Sequence, residues 1–169
     1  MNRRSLLSIS GAAALGLVLV AATALSAPKA KFNKRQLVGS WALVSGGQAN
    51  PNVEPFGADD GFAIFQSNGR FTLTLIRGNL PKFASNNRAE GTADENKAIV
   101  QGSIAYFGTY TLDPNDGSVT LHVDRSSFPN WNGSEIKRTI TSLTAQELKY
   151  INPAASVGGT AELAWKRMK

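Results

Sequence analysis

The side chains able to do chemistry in this chain are few. It holds one histidine, His122, and no cysteine, which excludes a thiolate nucleophile, a disulfide, a thiolate metal site and a histidine pair for a metal. No Gly-Xaa-Ser-Xaa-Gly turn is present to carry a serine nucleophile. What remains is two arginines in apolar surroundings. Arg77 continues the alternating row Phe71, Leu73, Leu75, and Arg138 stands between Ile136 and Ile140. A buried guanidinium costs several kcal/mol unless a carboxylate, a set of carbonyls or an anionic ligand meets it. The chemistry this permits is a carboxylate clamp, in which one or both arginines and a tyrosine such as Tyr106 or Tyr110 hold the head of an otherwise apolar molecule. The competing reading has Arg77 reaching from a strand end to the rim and Arg138 pairing with an internal acid such as Asp124.

Such groups need a scaffold, and the pattern supplies strands. Runs at 38–45, 61–66, 70–77, 103–112, 118–124, 135–143, 147–151 and 160–167 are each bounded by Gly, Pro, Asn or Asp clusters. One segment, Thr92 to Gln101, reads as a helix, with Thr92 as its N-cap, Asp94 and Glu95 in the first turn and Gly102 to stop it. The predicted class is all-β: an eight-stranded antiparallel up-and-down barrel with one short helix near 92–101. A sandwich of two sheets is the alternative. In a closed sheet the first and last strands are neighbours, so Trp41 of Gly39-Ser40-Trp41 can lie under Arg167 of Trp165-Lys166-Arg167 and clasp the two ends.

Turn chemistry predicts the faces. Asn68-Gly69, as a two-residue loop, pairs Ile64 with Leu73 and Phe62 with Leu75. Pro114-Asn115-Asp116-Gly117, as a four-residue loop, pairs Asp113 with Ser118, Leu112 with Val119 and Tyr110 with Leu121. The inner walls are then built by Tyr106, Tyr110, Phe71, Leu73, Leu75, Val119, Leu121 and Ile140. His122 falls on the outer face with Thr120 and Asp124. Were the loop one residue shorter, the face would flip and His122 with Asp124 and Tyr106 would form an internal acid/base group; the catalytic alternative assigns proton transfer to His122, Tyr110 and Asp124. Trp131, in the turn-rich 129–133 segment, is placed to cap the cavity mouth, and Phe83 lies on a long connection that can serve as a lid.

The N-terminus reads as an export signal over residues 1–26: Arg3 and Arg4, an uncharged Leu/Ala/Val/Gly run, and cleavage after Ala24 or Ser26. Asn2-Arg3-Arg4-Ser5-Leu6-Leu7 fits a twin-arginine signal, and Sec export fits the same segment. Residues 27–36 follow as a flexible leader, then a single domain over 37–169. The expected location is periplasmic or secreted, with no stable membrane anchor. Of 18 basic and 12 acidic residues the signal carries two basic ones, leaving 16 − 12 = +4. No basic stripe is interleaved with aromatics, so nucleic acid is not the expected partner.

Several segments carry a resemblance. The opening run Leu37-Val38-Gly39-Ser40-Trp41-Ala42-Leu43-Val44-Ser45, then Ala105-Tyr106-Phe107-Gly108-Thr109-Tyr110, Val119-Thr120-Leu121-His122-Val123, Pro129-Asn130-Trp131-Asn132-Gly133 and Arg138 follow one another as in the bacterial lipocalin-like domain family, a calycin-type barrel. The similarity implies a central pocket for small, mostly apolar molecules and no particular reaction. It also implies that Trp41 packs under Arg167 as a structural contact, and it draws attention to His122 and Arg138. The first functional reading is an exported protein binding a small apolar or amphipathic molecule, one form of which bears a carboxylate held by Arg138 or Arg77, with Trp131 at the mouth. No cofactor or metal is expected. The second is a cofactor-free isomerase or cyclase acting on a hydrophobic substrate in the same cavity. A fully packed barrel serving as an envelope adaptor is the third.

Overall fold

The computed structural model describes residues 32–47 and 49–169. Strands β1 (Gly39–Ser45), β2 (Gly61–Phe65), β3 (Arg70–Ile76), β4 (Ser103–Asp113), β5 (Ser118–Ser126), β6 (Glu135–Leu143), β7 (Glu147–Asn152) and β8 (Ala161–Arg167) follow in order. Each pairs antiparallel with the next, and β8 returns to β1, so the sheet is a closed eight-stranded barrel. Closure leaves no edge strand, which removes the sandwich alternative. The expected signal over 1–26 lies outside the described residues, as do residues 27–31 of the expected leader.

Alternation makes the core. In β4, Ile104, Tyr106, Gly108 and Tyr110 are buried while Ala105, Phe107, Thr109 and Thr111 are exposed, the period of two that a half-buried strand requires. The four-residue hairpin after β4 has the expected register, with Asp113 opposite Ser118 and Tyr110 opposite Leu121. The earlier hairpin differs by one residue. Phe65 pairs with Phe71 and Ala63 with Leu73, so Ala63 and Phe65 point inward while Phe62 and Ile64 face out. A two-residue type I′ turn needs positive φ at both central positions. Here only Gly69 has it, at 86°. The chain instead makes a three-residue loop, with Gln66 N donating to Arg70 O at 2.8 Å. The shift flips β2 alone, since Phe71, Leu73 and Leu75 keep their inward face.

A bulge shapes the middle of the sheet. Gly108 pairs with Val123, yet Phe107 pairs with Arg125, leaving Asp124 as the extra residue. A Cβ on Gly108 would lie 1.9 Å from the His122 carbonyl oxygen, so only glycine lets the two strands approach here.

The two barrel ends are unlike. Three short hairpins, at 66–69, 114–117 and 144–146, mark one end, and there helix α1 (Lys34–Leu37) plugs the opening. Part of the segment expected as a flexible leader is thus ordered. Asn33 Oδ1 accepts from Arg35 N at 2.9 Å and Gln36 Oε1 accepts from Asn33 N at 2.8 Å, a capping box that holds even this single turn. Leu37, the last residue of α1, and Trp41 are wholly buried. Trp41 Nε1 donates to Leu37 O at 2.9 Å, and the Arg167 guanidinium lies 4.1 Å from the centre of the indole ring.

The other end carries the long connections, 46–60, 77–102, 127–134 and 153–160. Within the second of them lies helix α2 (Ala93–Gly102), one residue on from its expected span, capped by Thr92 with Glu95. The backbone N–H groups of Ala84 and Thr92 hold the Glu95 carboxyl below the usual range, so one carboxylate ties this connection to its helix.

Candidate functional site

Between these long connections the barrel opens into a cavity of about 390 Å³. Its walls come from strand ends and loops together. Leu75, Ile104, Tyr106, Tyr150, Asn152, Ala161 and Leu163 supply the strand part; Val53, Phe56, Ile99, Val100, Phe128, Trp131 and Val157 supply the rest. Most of these side chains are apolar, so the space favours a molecule that sheds little hydration on entry.

The inner wall is aromatic. Phe71 meets Tyr106 edge to face at 5.8 Å, Tyr106 meets Trp131 at 5.2 Å, and Trp131 meets Phe128 at 5.7 Å. Across the barrel Tyr150 stacks on Trp165 at 6.2 Å. Burial raises the Tyr106 pKa, and the neighbouring Arg138 offsets part of that rise. Burial likewise drives Tyr150 far upward, Tyr106 adds to the rise, and Arg138 and Trp165 oppose it. Both phenols therefore stay protonated and neutral at physiological pH.

Among the described residues Arg138 is the one charged side chain that is buried, 1% exposed. Its guanidinium sits 5.9 Å from the Trp131 ring. It does not line the cavity, but three residues around it do: Tyr106, Trp131 and Tyr150. The internal acid considered as its partner is elsewhere. Asp124 is half exposed on the outer face and pairs with Arg70 at 3.1 Å.

Arg77 follows the end of β3 and turns to the rim. It pairs with Glu54 at 3.6 Å, donates to the Glu54 carbonyl and lies 5.3 Å from the Phe56 ring. Through these contacts it positions the 46–60 connection, which lines the cavity, and does not enter the space itself.

The residues of the catalytic alternative do not meet. His122 is outside the barrel, its Nδ1 3.0 Å from Glu135 Oε1. Tyr110 points to the plugged end and donates to Gln66 O at 2.8 Å. With Asp124 on the outer sheet, the three share no pocket. Phe71, Leu73, Val119, Leu121 and Ile140 are core residues that fill the barrel below the cavity, while Leu75, Tyr106 and Trp131 line it. Phe83 is folded under Gly91, where a Cβ would meet its ring at 2.3 Å, and takes no part in the cavity wall.

The profile of the lipocalin-like domain matches residues 38–168, the whole barrel. The chain belongs to the lipocalin-like domain family. Among solved structures this lipocalin-like chain is similar to a lipocalin-like protein from Bacteroides uniformis, at 16% identity over 79% of this chain and 99% of that one, with a TM-score of 0.46. A redesigned β-barrel is 13% identical over 80% of this chain and 94% of its own, with a TM-score of 0.42. No curated protein matches.

Reading the lipocalin-like sequence by strand alternation misses most of the cavity. Tyr150 and Asn152 follow Leu148 at the inward spacing of β7, with buried side chains, so the period of two carries their signal. Val53, Phe56, Phe128 and Val157 sit in connections that have no period to read.

Proposed function

We propose that this lipocalin-like protein is exported and holds a small, mostly apolar molecule in the cavity at the open end of its barrel. The observation that carries the reading is the cavity itself, about 390 Å³ and walled by Leu75, Ile104, Tyr106, Trp131, Tyr150 and Leu163. An apolar guest in a space of that size gains dispersion contacts and hydrophobic burial, at about 0.8 kcal/mol per buried methylene. Arg3-Arg4 and the uncharged run after them support export. The separation of His122, Tyr110 and Asp124 supports binding over catalysis by those groups.

The test uses 1-octanol as the probe. Calorimetric titration of the folded protein is expected to show saturable binding. Ala161→Phe, which builds a ring into the cavity wall, is expected to weaken it by about tenfold or more while the variant keeps cooperative melting. Failure of 1-octanol and of the neutral dye N-phenyl-1-naphthylamine to bind the wild type would refute the reading.

A further inference from the structure

Arg138 and its surroundings have a defined chemical deficit. Its Nη1 reaches the Lys137 carbonyl at 3.3 Å. Among the described residues, Nε and Nη2 have no hydrogen-bond partner, and neither does Trp165 Nε1. Both side chains are about 1% exposed, so bulk water does not serve these donors. Guanidinium and indole can only donate. The acids that could supply an acceptor are engaged outside the barrel: Asp116 with Lys137, Asp124 with Arg70, Glu135 with His122, Glu147 with Lys149. Between Tyr106 and Tyr150 lies a positive charge with no anion beside it among the described residues and three donors without a well-formed hydrogen bond; the Tyr106 phenol lies against Arg138 and the Tyr150 phenol against Trp165, and both phenols are neutral.

We infer that this cluster is the head-group site of the cavity, and that the molecule it takes is an amphiphile carrying a carboxylate. The inference rests on the binding reading above and adds the ligand's charge and the residue that meets it. Nε and Nη2 form one edge of the guanidinium plane, the edge that grips a carboxylate through two parallel N–H bonds. Neither position on that edge makes a well-formed hydrogen bond, while the one bond made comes from the other nitrogen. Trp165 Nε1 offers a further donor, and either phenol can give its proton to a carboxylate oxygen. The apolar tail then occupies the space lined by Leu75, Ile104 and Leu163. The head reaches Arg138 past Tyr106, Trp131 and Tyr150. Of these Trp131 is carried on a short 3-10 turn, Pro129–Trp131, outside the strand ladder, and its ring lies 5.9 Å from the guanidinium.

The experiment compares octanoate with 1-octanol, which share a tail and differ in charge. Titrations at pH 8 are done on the wild type, Arg138→Met and Trp165→Phe. The wild type is expected to bind octanoate more tightly by about tenfold or more, the usual scale of hydrogen bonds to a buried charge. Arg138→Met is expected to lose that preference and bind the two probes alike. Trp165→Phe, which deletes one N–H and keeps the ring stack, is expected to lose part of the preference. Equal binding of the two probes by the wild type, or a preference that survives Arg138→Met, overturns the inference and leaves the cavity reading standing. Binding of neither probe removes both.

Discussion

Replacing Trp41 by alanine is expected to destabilise the barrel by about 3–5 kcal/mol, the range for deleting a fully buried large aromatic side chain. The indole is wholly buried. Its loss opens a void at the plugged end and leaves the Leu37 carbonyl without the donor that now sits at 2.9 Å. Arg167 multiplies the effect. It donates from Nη1 to Val38 O at 2.8 Å, from Nε to Ala145 O at 2.6 Å and from Nη2 to Gln36 O. One side chain thus joins α1, the β6–β7 hairpin and the end of β8, and it does so while resting on the Trp41 ring. Urea unfolding is the measurement. Because the clasp is at the end away from the cavity, a Trp41 variant assayed where it is still folded is expected to bind 1-octanol as the wild type does. A cost under about 1 kcal/mol, the scale of an ordinary surface change, would show that the clasp does not hold the barrel shut.

Arg138→Met is expected to act in the opposite direction. With no ligand, the variant should be more stable than the wild type by about 1–4 kcal/mol, the upper range found when a buried ion pair gives way to apolar groups of similar volume. The wild type keeps the charge buried with one hydrogen bond of 3.3 Å and a ring contact at 5.9 Å. Such a cation–π contact contributes about 0.5–2 kcal/mol and offsets only part of the desolvation. Saturating octanoate should narrow the gap or reverse it, since only the wild type gains from the ligand's charge. Differential scanning calorimetry with and without octanoate reads both halves. If Arg138→Met proves several kcal/mol less stable without ligand, then Arg138 already has its partner inside the protein.

Arg138 and Arg77 show how far strand alternation alone places a side chain. Arg138 was visible because Ile136, Arg138 and Ile140 alternate within one strand, and the strand period decides which way they face. Arg77 is open to both readings in the sequence because the row Phe71, Leu73, Leu75 continues into it; the strand ends at Ile76 and the chain turns toward Glu54, which gives the rim reading. The hairpin at 114–117 was legible from its Gly117, with φ of 74°. The one at 67–69 was not, because Asn-Gly serves both a two-residue and a three-residue loop. Helix α1 had a readable signal, Asn33 followed three residues later by Gln36, but four residues are too few to show a period. Most of the missed cavity wall lies in connections brought together by barrel closure, and no local pattern encodes that.

The central claim is that a small apolar molecule sits in the open end of this barrel. Amide and indole chemical shifts recorded while 1-octanol is titrated into isotope-labelled protein test it most directly. The expected result is a saturable shift at Leu75, Ile104, Tyr106, Trp131, Tyr150 and Leu163, with Trp41, Gln66 and Tyr110 at the plugged end unmoved. Shifts confined to the outward apolar residues Val44, Phe62, Ile76 and Phe107, or none at all, would contradict it.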